Sequence, residues 1–329
     1  MPDAADNRVK GAPPGGWAVL RRNRAAMAAL VFLGLVSATA LIVPFLLPDW
    51  MKQVSADSFV APLGRSHPGA PLRLLGTDVN GNDLFYRLLT GAQVSLGVGL
   101  VGALVSLVIG GVYGMVSGYA GGRIDGAMMR LVDMLNAIPS LLIVMIFVST
   151  FDAFFKDALD ALRLWGQSRH WSIIEHMAGL LIPYSRIAIL VLSLGLVQWL
   201  TMARIVRGQV LVLKEMAFVT ASRAMGQRGW TILWKHLWPN LSTIVLTCLT
   251  LTIPAVIRDE SFLSFLGLGI EDPAASWGSL LRDGAQVINP IESKWWLLVF
   301  PAVLMSLSLL ALNFLGDGLR DAFDPKSGE

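Results

Sequence analysis

Six long runs of apolar residues, separated by more polar segments, constrain what this chain of 329 residues can fold into. A helix needs about 20 mostly apolar residues to cross a bilayer. The runs predict six membrane-spanning helices, at 25–47, 93–117, 131–151, 183–203, 241–257 and 296–316. The fifth is short and contains Pro254, so neighbouring helices must satisfy the backbone groups that the proline frees.

Composition supports a membrane protein and excludes several other classes. Only 15% of the residues are charged, against about 25% in soluble domains. The one cysteine, Cys248, allows no intrachain disulfide. A net charge of only +3 gives no reason to expect a nucleic-acid partner. We therefore expect an all-α, polytopic membrane protein.

The distribution of lysine and arginine predicts the orientation of the chain. If the N-terminus is inside, the inner segments 1–24, 118–130, 204–240 and 317–329 hold more than half of the 26 basic residues. Such a bias orients spans, so both termini are predicted to be cytoplasmic. This gives a cytoplasmic tail at 1–24, a transmembrane domain at 25–316 and a second cytoplasmic tail at 317–329. The outer segments are then 48–92, 152–182 and 258–295.

The outer segment 152–182 contains a helical pattern. Its first half has apolar residues at the spacing of an amphipathic helix, at Phe154, Phe155, Ala158, Leu159 and Leu162.

The inner segment 204–240, called the coupling segment below, is basic and helical in composition. Its sequence predicts a short helix that stops at Gly226 and a second helix that ends at Pro239, where the fifth span would restart. Two interpretations remain open, an ordinary surface hairpin and a docking element for an inner-side partner. In the second, small residues would let the partner approach and two apolar side chains would anchor it. These residues are Ala217, Ala221, Ser222 and Ala224, with Phe218 and Met225 as the anchors.

This segment resembles the EAA signature of ATP-binding-cassette importer permeases. Thr220-Ala-Ser-Arg-Ala-Met-Gly226 precedes Pro239 by the thirteen residues that the signature requires. Three positions depart from it, with Thr220 in place of Glu, Ser222 in place of Ala and His236 in place of Ile. Trp238 also replaces the Leu that precedes the proline. The wider chain is similar to the C-type permeases of dipeptide, oligopeptide and nickel importers, although 152–182 is longer than in that family. The similar motifs lie at 75–83, 118–122, 130–139, 203–208, 264–269, 276–278 and 316–321.

The resemblance implies a transport subunit of a bacterial inner membrane rather than an enzyme. A second, B-type permease would complete the pathway, two ATPase subunits would use ATP and Mg²⁺, and an extracytoplasmic binding protein would deliver short peptides. Nickel or another small solute is the alternative cargo. The helix at 215–229 would couple to the ATPases and this chain itself would hold no cofactor. The coupling residues implied by the resemblance are Glu215, Phe218, Thr220, Ala221, Ser222, Arg223, Ala224, Gly226 and Pro239.

Other patterns have simpler explanations. The G-x-G-x-x-G at 97–102 lies inside a span with no preceding strand, so close helix packing is favoured over dinucleotide binding. Glycines at four-residue intervals also predict close helix packing. They are Gly110, Gly114, Gly118 and Gly122. The four histidines show no metal-ligand spacing, and we expect no metal site.

Polar groups near the spans bear on other classes of function. A channel or proton-coupled carrier working without ATP needs charged residues deep in several spans, and we place only Asp133 within one. Gln198 is expected to join helices. Asp259 and Glu260 are expected after the fifth span, at a pathway mouth or in solvent. A membrane-embedded enzyme would need a cluster of reactive side chains that the spans lack.

Overall fold

A computed structural model describes residues 16–169, 171–272, 274–289 and 292–323, and these are helices joined by irregular segments. The remaining residues, including 1–15 and 324–329 of the predicted tails, lie outside this description. The helices are α1 (Gly16–Arg22), α2 (Arg24–Leu46), α3 (Asp49–Lys52), α4 (Leu84–Ala120), α5 (Gly122–Asn136), α6 (Ser140–Ser168), α7 (Ser172–Leu181), α8 (Ser185–Leu213), α9 (Ala217–Ala224), α10 (Gly229–Thr231), α11 (Trp238–Phe265), α12 (Trp277–Gln286) and α13 (Trp296–Phe323).

Five of the described helices are long and apolar enough to cross a membrane. They are Arg24–Leu46, Leu84–Ala120, Ser185–Leu213, Gly229–Phe265 and Trp296–Ala322, and each contains or closely overlaps a predicted span. A sixth crossing requires α5 and α6 together. The fold is thus the polytopic all-α architecture that the sequence predicts.

The predicted third span, 131–151, is wrong as a single helix. α5 and α6 meet at a bend of 82°. Pro139 causes the break, because a proline lacks an amide hydrogen and disfavours helical geometry in the residue before it. α6 then continues past the predicted span to Ser168 and α7 packs against it. The helix predicted in 152–182 is therefore confirmed, but it extends the span instead of standing alone.

The predicted stop at Pro239 is also wrong. The helix runs without interruption from Gly229 to Phe265 and widens to a π-helical stretch over 232–237, directly before the proline. Such single-turn π segments accommodate a local break in the hydrogen-bond ladder without ending the helix. The side-chain amide of Asn240 donates to the His236 carbonyl at 2.7 Å, which supplies that carbonyl with a partner within this turn.

Glycines bring α4 and α8 into close contact, as predicted. A Cβ atom added to Gly110 would lie 2.6 Å from the Trp199 carbonyl oxygen, and one added to Gly118 would lie 2.9 Å from that of Arg207. Gly114 similarly faces the Ala203 carbonyl. The contacts advance together along both helices, so α4 and α8 run in the same direction. Gly122 takes no part, since its added Cβ would meet nothing within 4 Å.

The G-x-G-x-x-G run serves the same purpose on another side of α4. Gly99 lies against Ile257 and Gly102 against Val256, both on α11. The largest core cluster surrounds this contact and joins α4, α6, α8 and α11.

The bundle has two chemically different ends. The described residues of the connections 47–83, 169–184 and 266–295 lie at one end, which we call the loop end. The connections 121, 137–139 and 214–228 belong to the opposite half of the bundle. Its end contains α9 and is called the α9 end.

Candidate functional site

The helix α9 lies where the sequence predicts a docking helix, and a glycine ends it. Gly226 has φ +76°, in the left-handed region that only glycine enters without strain. Its amide donates to the Arg223 carbonyl at 2.9 Å, and the Gln227 amide donates to the Ser222 carbonyl at 3.2 Å. These two bonds form a Schellman motif, so the chain turns sharply after α9.

One face of α9 is buried against the bundle. Val219 and Ser222 point inward, and the Ser222 hydroxyl donates to the Phe218 carbonyl at 2.8 Å. Val219 belongs to a core cluster with Val210 of α8 and Leu237 of the following helix. Ser222 is therefore part of the support for α9, although the sequence suggested that it would face a partner.

The opposite face of α9 is open and partly apolar. Met225 is 70% exposed and Phe218 is 39% exposed. The small or polar residues around them are exposed as well, namely Ala217, Thr220, Ala221, Arg223 and Ala224. Large apolar anchors beside small residues form a helix surface that can fit closely into a groove of a partner.

Several contacts fasten α9 and its turn to the bundle. The Arg223 guanidinium lies 5.2 Å from the ring centroid of Tyr119, the penultimate residue of α4. The Gln227 side chain meets His236 at 2.9 Å, and the Lys214 ammonium donates to the Gly118 carbonyl at 3.1 Å. A displacement of α9 would therefore be passed to α4, α8 and the helix that follows.

The α9 end is further tied together by one charged cluster. Arg207 of α8 forms two hydrogen bonds with Asp125 of α5, each 2.6 Å long. The Ser117 hydroxyl of α4 also donates to Asp125, at 2.6 Å. Sequence reasoning missed this cluster, because nothing in the sequence pairs residues 82 positions apart.

The other predicted coupling residues lie in different settings. Glu215 is exposed in the short link between α8 and α9. Pro239 lies in the first turn of α11 and is exposed. The structure thus brings the positions 215–226 together on one projection and leaves Pro239 in the helix wall.

A second polar network lies at the loop end. Arg87 donates to Asp78 at 2.7 Å and to Asp272 at 2.5 Å, and Asp283 lies 3.7 Å away. Burial raises the pKa of the Asp283 carboxyl, and the Arg87 charge opposes that rise. This network ties the 266–283 region to the start of α4.

The motif at 75–83 supplies the rest of the loop-end network. Asp83 accepts from the amides of Phe85 and Tyr86 and thereby caps α4, while Arg73 pairs with it at 3.1 Å. Asp78 accepts from the Asn82 amide at 2.8 Å. The sequence identified this motif but not its partners in distant segments.

Glu260 is buried, contrary to the expectation that it lies at a pathway mouth or in solvent. It has no exposed surface and lies inside the helix Gly229–Phe265. Ser264 donates to it at 2.7 Å, Ser261 at 3.2 Å and Ser95 of α4 at 3.3 Å. Ser95 also accepts from the Trp277 amide at 3.1 Å, so the carboxylate joins α4, α11 and α12.

The remaining polar expectations have mixed outcomes. Gln198 joins α8 to α11 through a 2.8 Å bond to Asp259, as predicted for an interhelical contact. Asp133 lies on α5, not in a continuous span, and it pairs with Arg204 at 3.4 Å. Among the residues that the structure describes, no group of three potential metal ligands lies close enough to hold an ion.

Comparison with known proteins identifies the family of this chain. Residues 110–328 match the family described as binding-protein-dependent transport system inner membrane component. Residues 16–62 match the N-terminal transmembrane domain of oligopeptide transport permease C.

Individual relatives align over nearly the whole chain. The dipeptide transport system permease protein DppC of Bacillus subtilis is 38% identical over 310 residues, covering 94% of this chain and 84% of that protein. The oligopeptide transport system permease protein OppC of Escherichia coli is 39% identical over 320 residues, covering 94% and 91%. OppC of Haemophilus influenzae is 37% identical over 311 residues, covering 93% and 86%. This chain therefore belongs to the binding-protein-dependent inner membrane component family, the membrane-spanning permeases of ATP-binding-cassette importers.

Proposed function

We propose that this chain is one of two permease subunits that pass short peptides across the inner membrane. The B-type partner permease completes the pathway, and a solute-binding protein delivers peptide at the loop end. Two ATPase subunits bind at the α9 end and use ATP and Mg²⁺ there. The α9 end is cytoplasmic in this proposal, with both termini on the same side.

The observation that carries the proposal is the two-sided character of α9. Its inner face, with Val219 and Ser222, is fixed to the bundle, and its outer face presents Phe218 and Met225. A helix that only covered the bundle would have no need to expose two large apolar side chains beside small residues. A helix that transmits the motion of a partner needs an outer face that binds the partner and an inner face that is fixed to the bundle.

The ATPase activity is assigned to the partner subunits. The sequence lacks the G-x-x-x-x-G-K-[ST] loop that cradles nucleotide phosphates. The closing of the ATPase pair would displace α9, and its attachments to α4, α8 and the helix Gly229–Phe265 would carry that motion into the spans as a rigid-body change.

The peptide cargo is proposed from the relatives, whose names specify dipeptides and oligopeptides. Nickel or another small solute is the alternative within the same architecture. Selectivity in such a system rests largely with the delivering protein, so the cargo must be tested in the complete transporter.

Uptake into proteoliposomes tests the proposal. The complete complex should accumulate labelled di- and oligopeptides only when ATP and the binding protein are both present, and unlabelled peptide should compete. Uptake of nickel that is not inhibited by peptide would show that nickel, and not peptide, is the cargo. Uptake by this chain alone, without ATPase subunits, would contradict the proposal and favour a channel or proton-coupled carrier.

A further inference from the structure

Three tryptophans follow one another at successive turns directly after α9. Trp230, Trp234 and Trp238 have ring centroids 5.7 and 5.8 Å apart along the helix. Trp230 is 62% exposed and Trp234 is 40% exposed, whereas Trp238 packs partly against the core. We call this group the tryptophan ladder. Neither the docking of α9 nor the transport pathway accounts for it.

The ladder spans the level at which the bundle changes from apolar to charged. At one end, Trp238 lies 3.7 Å from the position of a Cβ added to Gly111 of α4. At the other end, Gly229 lies against the ring of Tyr119, eight residues further along α4. Eight residues of helix correspond to about 12 Å of rise.

The surroundings of the two ends differ in chemistry. The Trp238 end belongs to a cluster with Leu107 and Leu241. The Tyr119 end lies beside the Lys214 contact to Gly118 and close in sequence to Ser117, which binds Asp125. The exposed indoles thus lie where the surroundings change from apolar to charged.

We propose that the tryptophan ladder and its neighbouring cations bind the phospholipid surface of the bilayer at the α9 end. Indole rings favour this interfacial zone, because it receives the ring in an apolar layer and the N–H in a wet one. Arg228 and Lys235 are exposed beside the ladder and supply positive charge for lipid phosphates.

The surface continues into the exterior of a membrane span. Leu246, two turns beyond Trp238 on the same helix, is 40% exposed. In our proposal the ladder is the interfacial margin of a membrane-facing helix. The exposed cations Arg228 and Lys235 favour lipid phosphates over a second permease as its occupant, and the measurement below distinguishes the two.

This contact gives the ladder a mechanical purpose beyond the docking of α9. The turn at Gly226 and the Gln227–His236 contact connect α9 to the first turns of the same helix. Lipid binding by the ladder would hold this helix at a constant depth, so that force on α9 moves the spans instead of sliding the helix along the membrane normal.

Spin labels measure the occupant directly. Cys248→Ala removes the one cysteine of this chain, and the partner subunits are used as cysteine-free variants. Single Trp230→Cys and Trp234→Cys variants then carry a nitroxide in the complete transporter in lipid nanodiscs. Gln167→Cys, exposed at the end of α6, serves as the water-facing reference. Both ladder positions are exposed. ATP-driven uptake by the same labelled complexes after reconstitution into proteoliposomes verifies that each is assembled.

Relaxation by oxygen, which concentrates in lipid, is compared with relaxation by a water-soluble nickel chelate. We expect the oxygen-to-nickel ratio to be severalfold higher at both ladder positions than at 167, and higher at 234 than at 230. A ratio at both positions equal to that at 167 would overturn the proposal, because the ladder would then face water. Low accessibility to both reagents would overturn it too, because a protein would then cover the ladder.

Discussion

Arg207 holds Asp125 in a fork of two hydrogen bonds, from Nε to Oδ1 and from Nη2 to Oδ2, each 2.6 Å long. The fork joins α8, which leads into the coupling segment, to α5, which leads into the broken third crossing. Ser117 adds α4 to the same carboxylate. This carboxylate therefore links three helices at the α9 end.

Replacing the fork should destabilise this end of the bundle. Arg207→Lys keeps the charge but loses the planar pair of donors, and we expect a loss of roughly 1.5–3 kcal/mol in unfolding free energy. Arg204→Lys is the control, because its single 3.4 Å contact to Asp133 is largely exposed and such pairs contribute below about 1 kcal/mol. Thermal unfolding of the detergent-solubilised complex measures both. Equal melting temperatures for the two variants would contradict the assigned role of the fork.

Gly226 should tolerate no side chain without loss of coupling. Nothing lies within 4 Å of an added Cβ, so the penalty of Gly226→Ala comes from its φ of +76° and amounts to about 1–2 kcal/mol. Gly226→Val should be worse and should abolish ATP-driven uptake, because the turn after α9 is displaced. Gly208→Ala is the control, since Gly208 is helical and equally unobstructed. Unchanged uptake by Gly226→Val would show that the turn is not needed.

The contact between α4 and α8 should depend on the glycine at its closest point. In Gly114→Ala the new methyl group collides with the Ala203 carbonyl, and we expect a loss of about 1–3 kcal/mol from overpacking. Gly97→Ala on the same helix meets nothing within 4 Å and should be neutral or slightly stabilising. The melting temperatures of the two variants test this. A Gly114→Ala protein as stable as Gly97→Ala would mean that the helices are not in close contact there.

Glu260 should be structural. Glu260→Ala removes the acceptor for three serine hydroxyls in a buried site, at a cost of at least about 2 kcal/mol. Glu260→Gln keeps one acceptor oxygen and should be intermediate. The exposed Glu271→Gln is the matched control. If Glu260→Ala assembles and melts like the control, the serine cluster does not hold α11 to α4 and α12.

Hydropathy alone predicts most of the architecture, because spans are long and a bilayer leaves the backbone few alternatives. The errors occur where the outcome depends on the direction of a helix or on the hydrogen-bond partner of a side chain, because hydropathy contains neither. Pro139 is visible in the sequence, yet averaging over 131–151 conceals the 82° bend that it causes. The predicted fifth span ends at 257 because the charged residues Arg258, Asp259 and Glu260 lower the hydropathy. The serine of α4 that donates to Glu260 inside the helix is 165 positions away.

In the candidate site, too, local features could be predicted from the sequence and contacts with distant segments could not. The position of α9 and the turn at Gly226 follow from local chemistry and were predictable. That Ser222 faces inward was not, because the small-residue pattern does not say which side of an eight-residue helix is covered. The partners of Asp125 and Asp78 depend on the packing of distant segments.

Site-directed cross-linking from the exposed face of α9 tests the central claim most directly. In a Cys248→Ala background with cysteine-free partner subunits, Phe218→Cys is labelled with a thiol-reactive benzophenone, which on illumination inserts into C–H bonds of whichever protein lies within reach. The products formed in the assembled transporter are identified by mass spectrometry. The account predicts a cross-link to an ATPase subunit whose yield changes when ATP is added. A cross-link to the solute-binding protein, or labelling of position 218 from the side on which that protein binds, would contradict it.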